Sequence, residues 1–340
     1  MTARLLIGVP SKGRLQDNTT AFFARAGLHL SQQGGNRDYH GTIRDFPGLE
    51  ILFLSASEIV AKLASGEVHF GVTGEDLIRE AIPDADHKVT LLAPLGFGQA
   101  NVVVAVPKGW IDASTMEDLE EIAADYHARH GRRMRVATKY INLTRRAFAE
   151  HGVADYRIVE SLGATEGAPA SGTAEFIVDI TTTGSTLEAN ALKVLDDGVI
   201  LQSQANLVAS LSAVWSEPTR QLAQGFLDRI WAEHTARTTR ELRVFCAPDR
   251  LKSLVEIAWA DGALLRSSDQ TVPLILQVET AKAASLASRL IQAGAEHVSV
   301  AKTEYIFASH GPLNEKLENT LQKRGIPRND AVLMTKSLDF

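Results

Sequence analysis

The sequence predicts an α/β protein of two strand-helix lobes, linked by two crossings of the chain, with a smaller α+β unit after them. Three observations carry this prediction. Short apolar, β-branched runs alternate with helical patterns from residue 5 to about 240. That rhythm breaks at Leu95-Gly96-Phe97-Gly98 and resumes in Val102-Val103-Val104-Ala105-Val106, a run without alternation that reads as a strand buried on both faces. Beyond Arg240, short strands and two helices alternate within roughly 70 residues, a spacing suited to a βαβ-type α+β unit.

Composition narrows the function. A chain of 340 residues with 45% hydrophobic content is long enough for two or three packed domains. Charged residues make up 22% and the net charge is −6, which excludes the broad basic face of a non-specific nucleic-acid binder. The single cysteine, Cys246, excludes an internal disulfide and reads as a small buried hydrophobe. The apolar run at 5–10 is too short for a signal peptide, and no later run approaches a membrane span. The expectation is a soluble cytoplasmic protein with neither nucleic-acid nor membrane partners.

In chain order, residues 5–10 read as a first buried strand and Ser11-Lys12-Gly13-Arg14-Leu15 as the turn into a helix. Lys12 and Arg14 stand where open α/β sheets bind ligands, and are candidates for holding a triphosphate or pyrophosphate. Residues 50–54 and 68–74 read as the next strands, with a helix over 56–64 between them. His69 is expected on a strand surface, since nothing with base-orienting spacing surrounds it. Residues 116–130 read as a surface helix and 134–138 as a strand that leads to Lys139 and Tyr140, candidates for a phosphate contact and for stacking on a base. Strands are expected at 157–161, 177–180 and 199–201, and the chain returns to the first lobe at 207–215. A long helix follows over 217–240, with Pro218 near its first turn. The last unit reads as strand 241–245, helix 249–260, strand 272–278, helix 281–293 and strand 297–301, with a further strand at Ile306-Phe307. The tail is expected to be helical over 313–324. The resulting division is 1–94 with 205–240, 95–204, 241–310 and 311–340.

The stretch at 177–187, Ile-Val-Asp-Ile-Thr-Thr-Thr-Gly-Ser-Thr-Leu, organises the rest. It reads as a strand, a small-residue loop and a helix start over 187–192. Residues Thr181, Thr182, Thr183, Gly184, Ser185 and Thr186 offer backbone N–H groups and five hydroxyls at a helix N-terminus, a setting that suits a phosphate dianion. Asp179 precedes the loop and is placed to accept from two vicinal hydroxyls about one sugar ring away. Phosphate plus diol describes a ribose 5-phosphate.

The flanking residues add a resemblance. From Glu166 to Leu187 the chain is similar to the signature of the ATP phosphoribosyltransferases, the enzymes that open histidine biosynthesis, at Glu166, Gly172, Ala174, Ile177, Asp179, Ile180, Thr183, Gly184, Thr186 and Leu187. Pro10-Ser11-Lys12-Gly13-Arg14-Leu15 resembles the family's opening motif, and Gly71, Gly74 and Asp76 resemble its Gly-x-x-Gly-x-Asp turn, carried in the cleft. The chain departs from the family at Ser55-Ala56-Ser57-Glu58, where many members have a basic residue, and at Ile141, where proline is common. The resemblance implies a periplasmic-binding-protein-like (type II) catalytic core and a C-terminal ferredoxin-like, ACT-like domain. In long-form members such a domain binds L-histidine as feedback inhibitor and joins subunits into a hexamer, so a homo-oligomer, dimer or hexamer, is expected.

The implied reaction joins adenine N1 of ATP to C1 of phosphoribosyl pyrophosphate, inverting that carbon and expelling pyrophosphate with Mg2+ as cofactor. It needs positioning and charge stabilisation rather than a general base, since adenine N1 is unprotonated at neutral pH. The implied roles are phosphoribosyl pyrophosphate on Asp179 and residues 181–186, and ATP on Lys12, Gly13, Arg14, Gly74, Asp76, Lys139 and Tyr140. Lys12, Arg14 and Asp179 act electrostatically. Glu166 keeps two readings, ordering the loop or standing near the metal. The alternatives are a non-catalytic two-lobed sensor of an anion or nucleotide, and a phosphoribosyltransferase that uses another base.

Overall fold

The computed structural model describes residues 4–32, 39–44, 46–267, 272–326 and 328. Spatial proximity divides these into two compact units. One takes the described parts of 1–22, 30–216 and 320–340; the other takes 23–29 and 217–319.

The first unit holds two α/β lobes. Lobe I opens with β1 (Leu5–Pro10) and α1 (Gly13–Arg25), then β2 (Leu30–Gln32), β3 (His40–Ile43) and β4 (Leu49–Leu54). It continues through α2 (Ala56–Ser65), β5 (Phe70–Gly74), α3 (Glu75–Ala81), α4 (Ala85–Lys88) and β6 (Val89–Pro94). Lobe II contains β7 (Asn101–Pro107), α5 (Met116–His130), β8 (Met134–Thr138), α6 (Ile141–Glu150), β9 (Tyr156–Glu160), β10 (Phe176–Thr181), α7 (Ser185–Ala189) and β11 (Leu192–Leu201). The chain then re-enters lobe I as β12 (Ala205–Ser210).

The two sheets repeat one plan. Lobe I is ordered β2-β3-β4-β1-β5-β12-β6, and lobe II β11-β7-β10-β8-β9. In each lobe three parallel strands lie in the order second, first, third: β4-β1-β5 and β9-β8-β10. Next to the third lies an antiparallel strand that has just crossed from the other lobe, β12 in lobe I and β7 in lobe II. Two lobes of mixed sheet joined by two crossings are therefore present, as the alternation of runs predicts. The crossing strands are the most deeply buried, because neighbours flank them on both edges and helices or loops cover both faces: every residue of β12 is buried, and all but the ends of β7.

Within the second unit, α8 (Glu217–Thr238) leads into β13 (Thr239–Phe245), α9 (Leu251–Ala260), β14 (Leu264–Leu265), β15 (Leu274–Glu279), α10 (Ala283–Gln292) and β16 (His297–Ala301). The sheet order β14-β15-β13-β16 is wholly antiparallel, a β-α-β-β-α-β arrangement. Leu242, Val244 and Leu276 from the sheet pack with Leu254, Leu286 and Leu290 from the helices, so both helices cover one face. Cys246 lies in this core, and burial raises its thiol pKa, as a small hydrophobe's position requires. The tail helix is α11 (Pro312–Lys323); beyond it the described residues are Arg324–Ile326 and Arg328.

Several expectations need correction. No strand forms at Ile306-Phe307; the Ile306 N–H donates to Ala232 O at 3.0 Å, on α8. The helix expected at 187–192 ends at Ala189, because Ala191 takes φ +55° and β11 starts at Leu192. His69 is buried rather than on a strand surface. Its Nδ1 accepts from the Leu6 N–H at 3.2 Å, its Nε2 faces Val214 O at 3.2 Å, and burial lowers its pKa. It is a neutral structural histidine. Ser55-Ala56-Ser57-Glu58 proves to be a capping box: Glu58 N–H donates to Ser55 Oγ at 3.3 Å and Ser55 N–H to Glu58 Oε2 at 2.8 Å. The Ser55 hydroxyl thus serves its own helix.

Candidate functional site

The site grows from the end of β10. Phe176, Ile177 and Val178 are buried, and Asp179 follows at the strand's open end. Its Oδ1 accepts from the Ile180 N–H at 2.8 Å. Burial raises the Asp179 pKa; the Ile180 amide and the Lys139 charge pull it back, and the nearby Glu166 charge pushes it up again. Lys139 and Glu166 are thus each brought within electrostatic reach of Asp179. Glu166 sits in a single 3₁₀ turn, Thr165–Gly167, entered through Ala164 at φ +51°, an uncommon conformation for alanine.

The loop after Asp179 braces itself. Thr181 Oγ1 accepts from the Gly184 N–H at 2.8 Å, and the Thr183 and Ser185 hydroxyls share a bond of 3.0 Å. Thr182 Oγ1 donates to Gln99 O, in the first crossing, at 2.9 Å. Gly184 holds φ +78°, which lets the chain turn into α7, whose first helical bond runs from Glu188 N to Gly184 O. The amides of Ser185, Thr186 and Leu187 therefore precede any intrahelical acceptor, with only a long bond of 3.5 Å from the Ser185 N–H to Thr183 Oγ1. At five residues α7 is too short for a strong dipole, so the donor set is chiefly these N–H groups, with most hydroxyls holding the loop's shape.

Arg14, Gly74, Asp76 and Thr182 line one cavity of about 540 Å³, together with crossing residues that include Phe97 and Gly98. Lys139 and Tyr140 line a second of about 240 Å³ with Ser57 and Glu80, and Leu77 borders both. Lys12 is exposed, just before Gly13 at φ +70°, and lines neither.

Between the cavities lies a buried network. Asp76, 5% exposed, accepts from Tyr140 Oη at 2.8 Å on Oδ2 and from Ser203 Oγ at 2.8 Å on Oδ1. Its own N–H donates back to Ser203 Oγ at 3.0 Å. Burial first, then the Asp76 charge, push the Tyr140 phenol pKa well up, so it stays a protonated donor. Tyr140 is 1% exposed with Lys139 Nζ 5.0 Å from its ring centroid, so in this arrangement its ring packs within the protein instead of presenting a face for a base.

Ser203, Gln99 and Glu80 had no local signal, because their partners lie 62 to 127 residues away. One trace was readable: Tyr140, in the N-cap position before α6, is not a capping residue, which asks for an acceptor from elsewhere.

The HisG family model, described as ATP phosphoribosyltransferase, matches residues 55–231, just over half of the chain. An ATP phosphoribosyltransferase of Rhodopseudomonas palustris (strain HaA2) is 55% identical over 325 residues, covering 95% of this chain and 100% of the relative. One from Bradyrhizobium sp. (strain ORS 278) is 56% identical over 324 residues, with the same coverage. Among solved structures, the ATP phosphoribosyl transferase (HisG:HisZ) complex from Thermotoga maritima matches 66% of this chain and 95% of that chain, with a TM-score of 0.51 and 23% identity, a likeness of fold. Identity this high along the whole of those relatives leaves one conclusion: the chain belongs to the ATP phosphoribosyltransferase family.

Proposed function

We propose that this family member, a transferase of the first step of histidine biosynthesis, holds phosphoribosyl pyrophosphate at the end of β10 and ATP against the cavity beside it. The observation that carries the reading is the loop after Asp179, where three consecutive amides precede any helical acceptor beside a half-buried carboxylate. The amides of Ser185, Thr186 and Leu187 take the 5-phosphate, on a loop shaped by Thr181, Thr182, Thr183 and Gly184. Asp179 accepts from the ribose hydroxyls. Lys12, Arg14 and Lys139 balance the pyrophosphate and triphosphate charge, and Gly13, Gly74, Asp76 and Tyr140 shape the ATP side. Because the attacking adenine nitrogen is already unprotonated, the protein contributes alignment and fixed charge rather than a base.

Magnesium fits this donor set. No group of three or more potential metal-binding side chains occurs among the described residues, whereas Asp179 and Glu166 feel each other's charge. That suits an ion carried mostly by water and pyrophosphate oxygens with one or two carboxylates. When bound, it stabilises charge on the departing pyrophosphate.

The second unit reads as a ferredoxin-like, ACT-like regulatory domain that binds L-histidine and joins subunits into dimers or a hexamer. Its strand order supports this, as does a cavity of about 630 Å³ lined by His234, Glu241 and Arg266. Phe245, Trp259, Leu264 and Phe307, exposed by 40–62%, offer apolar area for a second copy. The division 1–94 with 205–240, 95–204, 241–310 and 311–340 belongs to the same reading. No helix among the described residues is long and apolar enough to cross a membrane, and the phosphorylated substrates of this reading support a cytoplasmic location.

The test is pyrophosphate release from ATP and phosphoribosyl pyrophosphate with magnesium, with and without L-histidine. Asp179→Ala is expected to lower kcat/KM by about two orders of magnitude, the size of lost charge-assisted hydrogen bonds; unchanged efficiency removes Asp179 from the site.

A further inference from the structure

We infer that Glu80 is a positioning residue: it sets how the two lobes approach each other by serving as the missing cap of a helix on the opposite lobe. The first amides of any helix need acceptors. α6 provides none of its own, having no side-chain cap at Tyr140 and no acidic residue in its first turn.

The acceptors come from lobe I. The Glu80 carboxylate accepts from the Asn142 N–H at 3.0 and 3.1 Å and from the Leu143 N–H at 3.0 Å. Asn142 Nδ2 also donates to the Glu80 backbone carbonyl at 2.9 Å. A carboxylate on bare helix amides is a charge-assisted bond, favoured again by the ten-residue helix's own field.

Asp76 stands four residues earlier in α3, on the same helical face, and takes the Tyr140 hydroxyl. Two carboxylates of one short helix therefore grip consecutive features of lobe II. Asp76 also bonds Ser203 in the second crossing and lines the cavity of about 540 Å³, whereas the Glu80 carboxylate bonds only lobe II among the described residues and borders the smaller cavity beside Lys139 and Tyr140. Separating the lobes strips α6 of its cap, so lobe approach and helix capping are one event. Lys139 and Tyr140, immediately before α6, move with it.

The inference rests on substrates binding between the lobes, and the experiment separates the two claims. Spin labels on α2 and α5, one in each lobe, report lobe spacing in the full chain, while steady-state assays give KM for each substrate. In Glu80→Ala the label distance is expected to lengthen, and both KM values to rise by a common factor of about five- to tenfold, the size of a lost helix cap. The kcat is expected to stay within about twofold. Glu80→Gln, which keeps one acceptor oxygen and folds more readily, falls between. Adding Asn142→Asp to Glu80→Ala supplies α6 with an acidic start of its own; thermal stability recovers while spacing and KM do not.

Unchanged spacing in both Glu80 variants overturns the inference, as does a KM change for one substrate alone, which makes Glu80 a ligand contact. Recovery of spacing in the double variant also overturns it, leaving a purely local cap. Longer spacing with both KM values unchanged upholds the tether and overturns the placement of substrates between the lobes.

Discussion

The loop at 181–186 and the seam between α3 and α6 are both small polar clusters at the cleft, yet they are built in opposite ways. The loop's bonds mostly join residues two or three apart, as from Gly184 to Thr181 or Ser185 to Thr183. The seam's bonds join residues 62 to 64 apart, as from Asn142 to Glu80 or Tyr140 to Asp76. A self-bonded loop keeps its shape whatever the lobes do. A seam bonded across lobes exists only when they meet. Ligand geometry and lobe geometry are thus entrusted to different kinds of contact.

Substitutions that separate the two kinds sharpen this contrast, and the largest effect is expected at Asp179. Asp179→Asn is expected to cut kcat/KM by about a hundredfold or more while stabilising the fold. Burial holds this carboxyl's pKa above its ordinary 3.8, so ionising it opposes folding. That penalty is absent below about 3.9 and grows as pH rises through the folded value. Melting curves should show the asparagine variant ahead at pH 7.5 and level with the parent near pH 4; a variant less stable at pH 7.5 breaks the claim that the loop trades stability for binding.

At the seam, Tyr140→Phe leaves one oxygen of a 95%-buried carboxylate without its donor. The expected cost is about 2 kcal/mol in denaturant unfolding. A loss under about 0.5 kcal/mol would mean that the Asp76 network does not hold the lobes.

Gly184→Ala probes the loop's shape alone. Apart from Gly184 itself and its two chain neighbours, nothing lies within 4 Å of the added carbon, so only the φ of +78° is strained. About 1 kcal/mol is expected, read as weaker binding of phosphoribosyl pyrophosphate by roughly fivefold. Gly184→Asn, which tolerates that conformation better, should recover much of the loss.

The smallest effect lies outside both clusters, at His69. Its pKa is lowered by burial, so its contribution is full above about 6.5 and declines as pH falls, by at most about 1.4 kcal/mol per pH unit. Denaturant titrations at pH 7.5 and 5.5 should reveal that slope in the parent and not in His69→Gln, with kcat following a separate profile.

Legibility in the sequence followed the same division. The strand, carboxylate and glycine turn around Asp179 were readable because each is a local pattern, and the two lobes were readable from the alternation of runs. The details of use were not: the threonines were expected to face the phosphate, but Thr181 and Thr182 spend their side chains on Gly184 and Gln99. Tyr140 read equally well as a stacking ring, since nothing near it in sequence reveals Asp76 across the cleft. His69 looked exposed because its partners, Leu6 and Val214, come from distant segments. Ser55 and Glu58 stand at a capping spacing, a local pattern that accounts for this turn without a basic residue.

The shared sheet plan has a consequence for synthesis on the ribosome. β12 lies between β5 and β6 and pairs with both, so β6 has no neighbour in its sheet until residue 205 onward has been made. The amino-terminal lobe must wait for the whole of its companion to emerge. A truncation after residue 204 should leave an exposed edge and a chaperone substrate, whereas lobe II, whose strands run without interruption from β7 to β11, is already complete at that length.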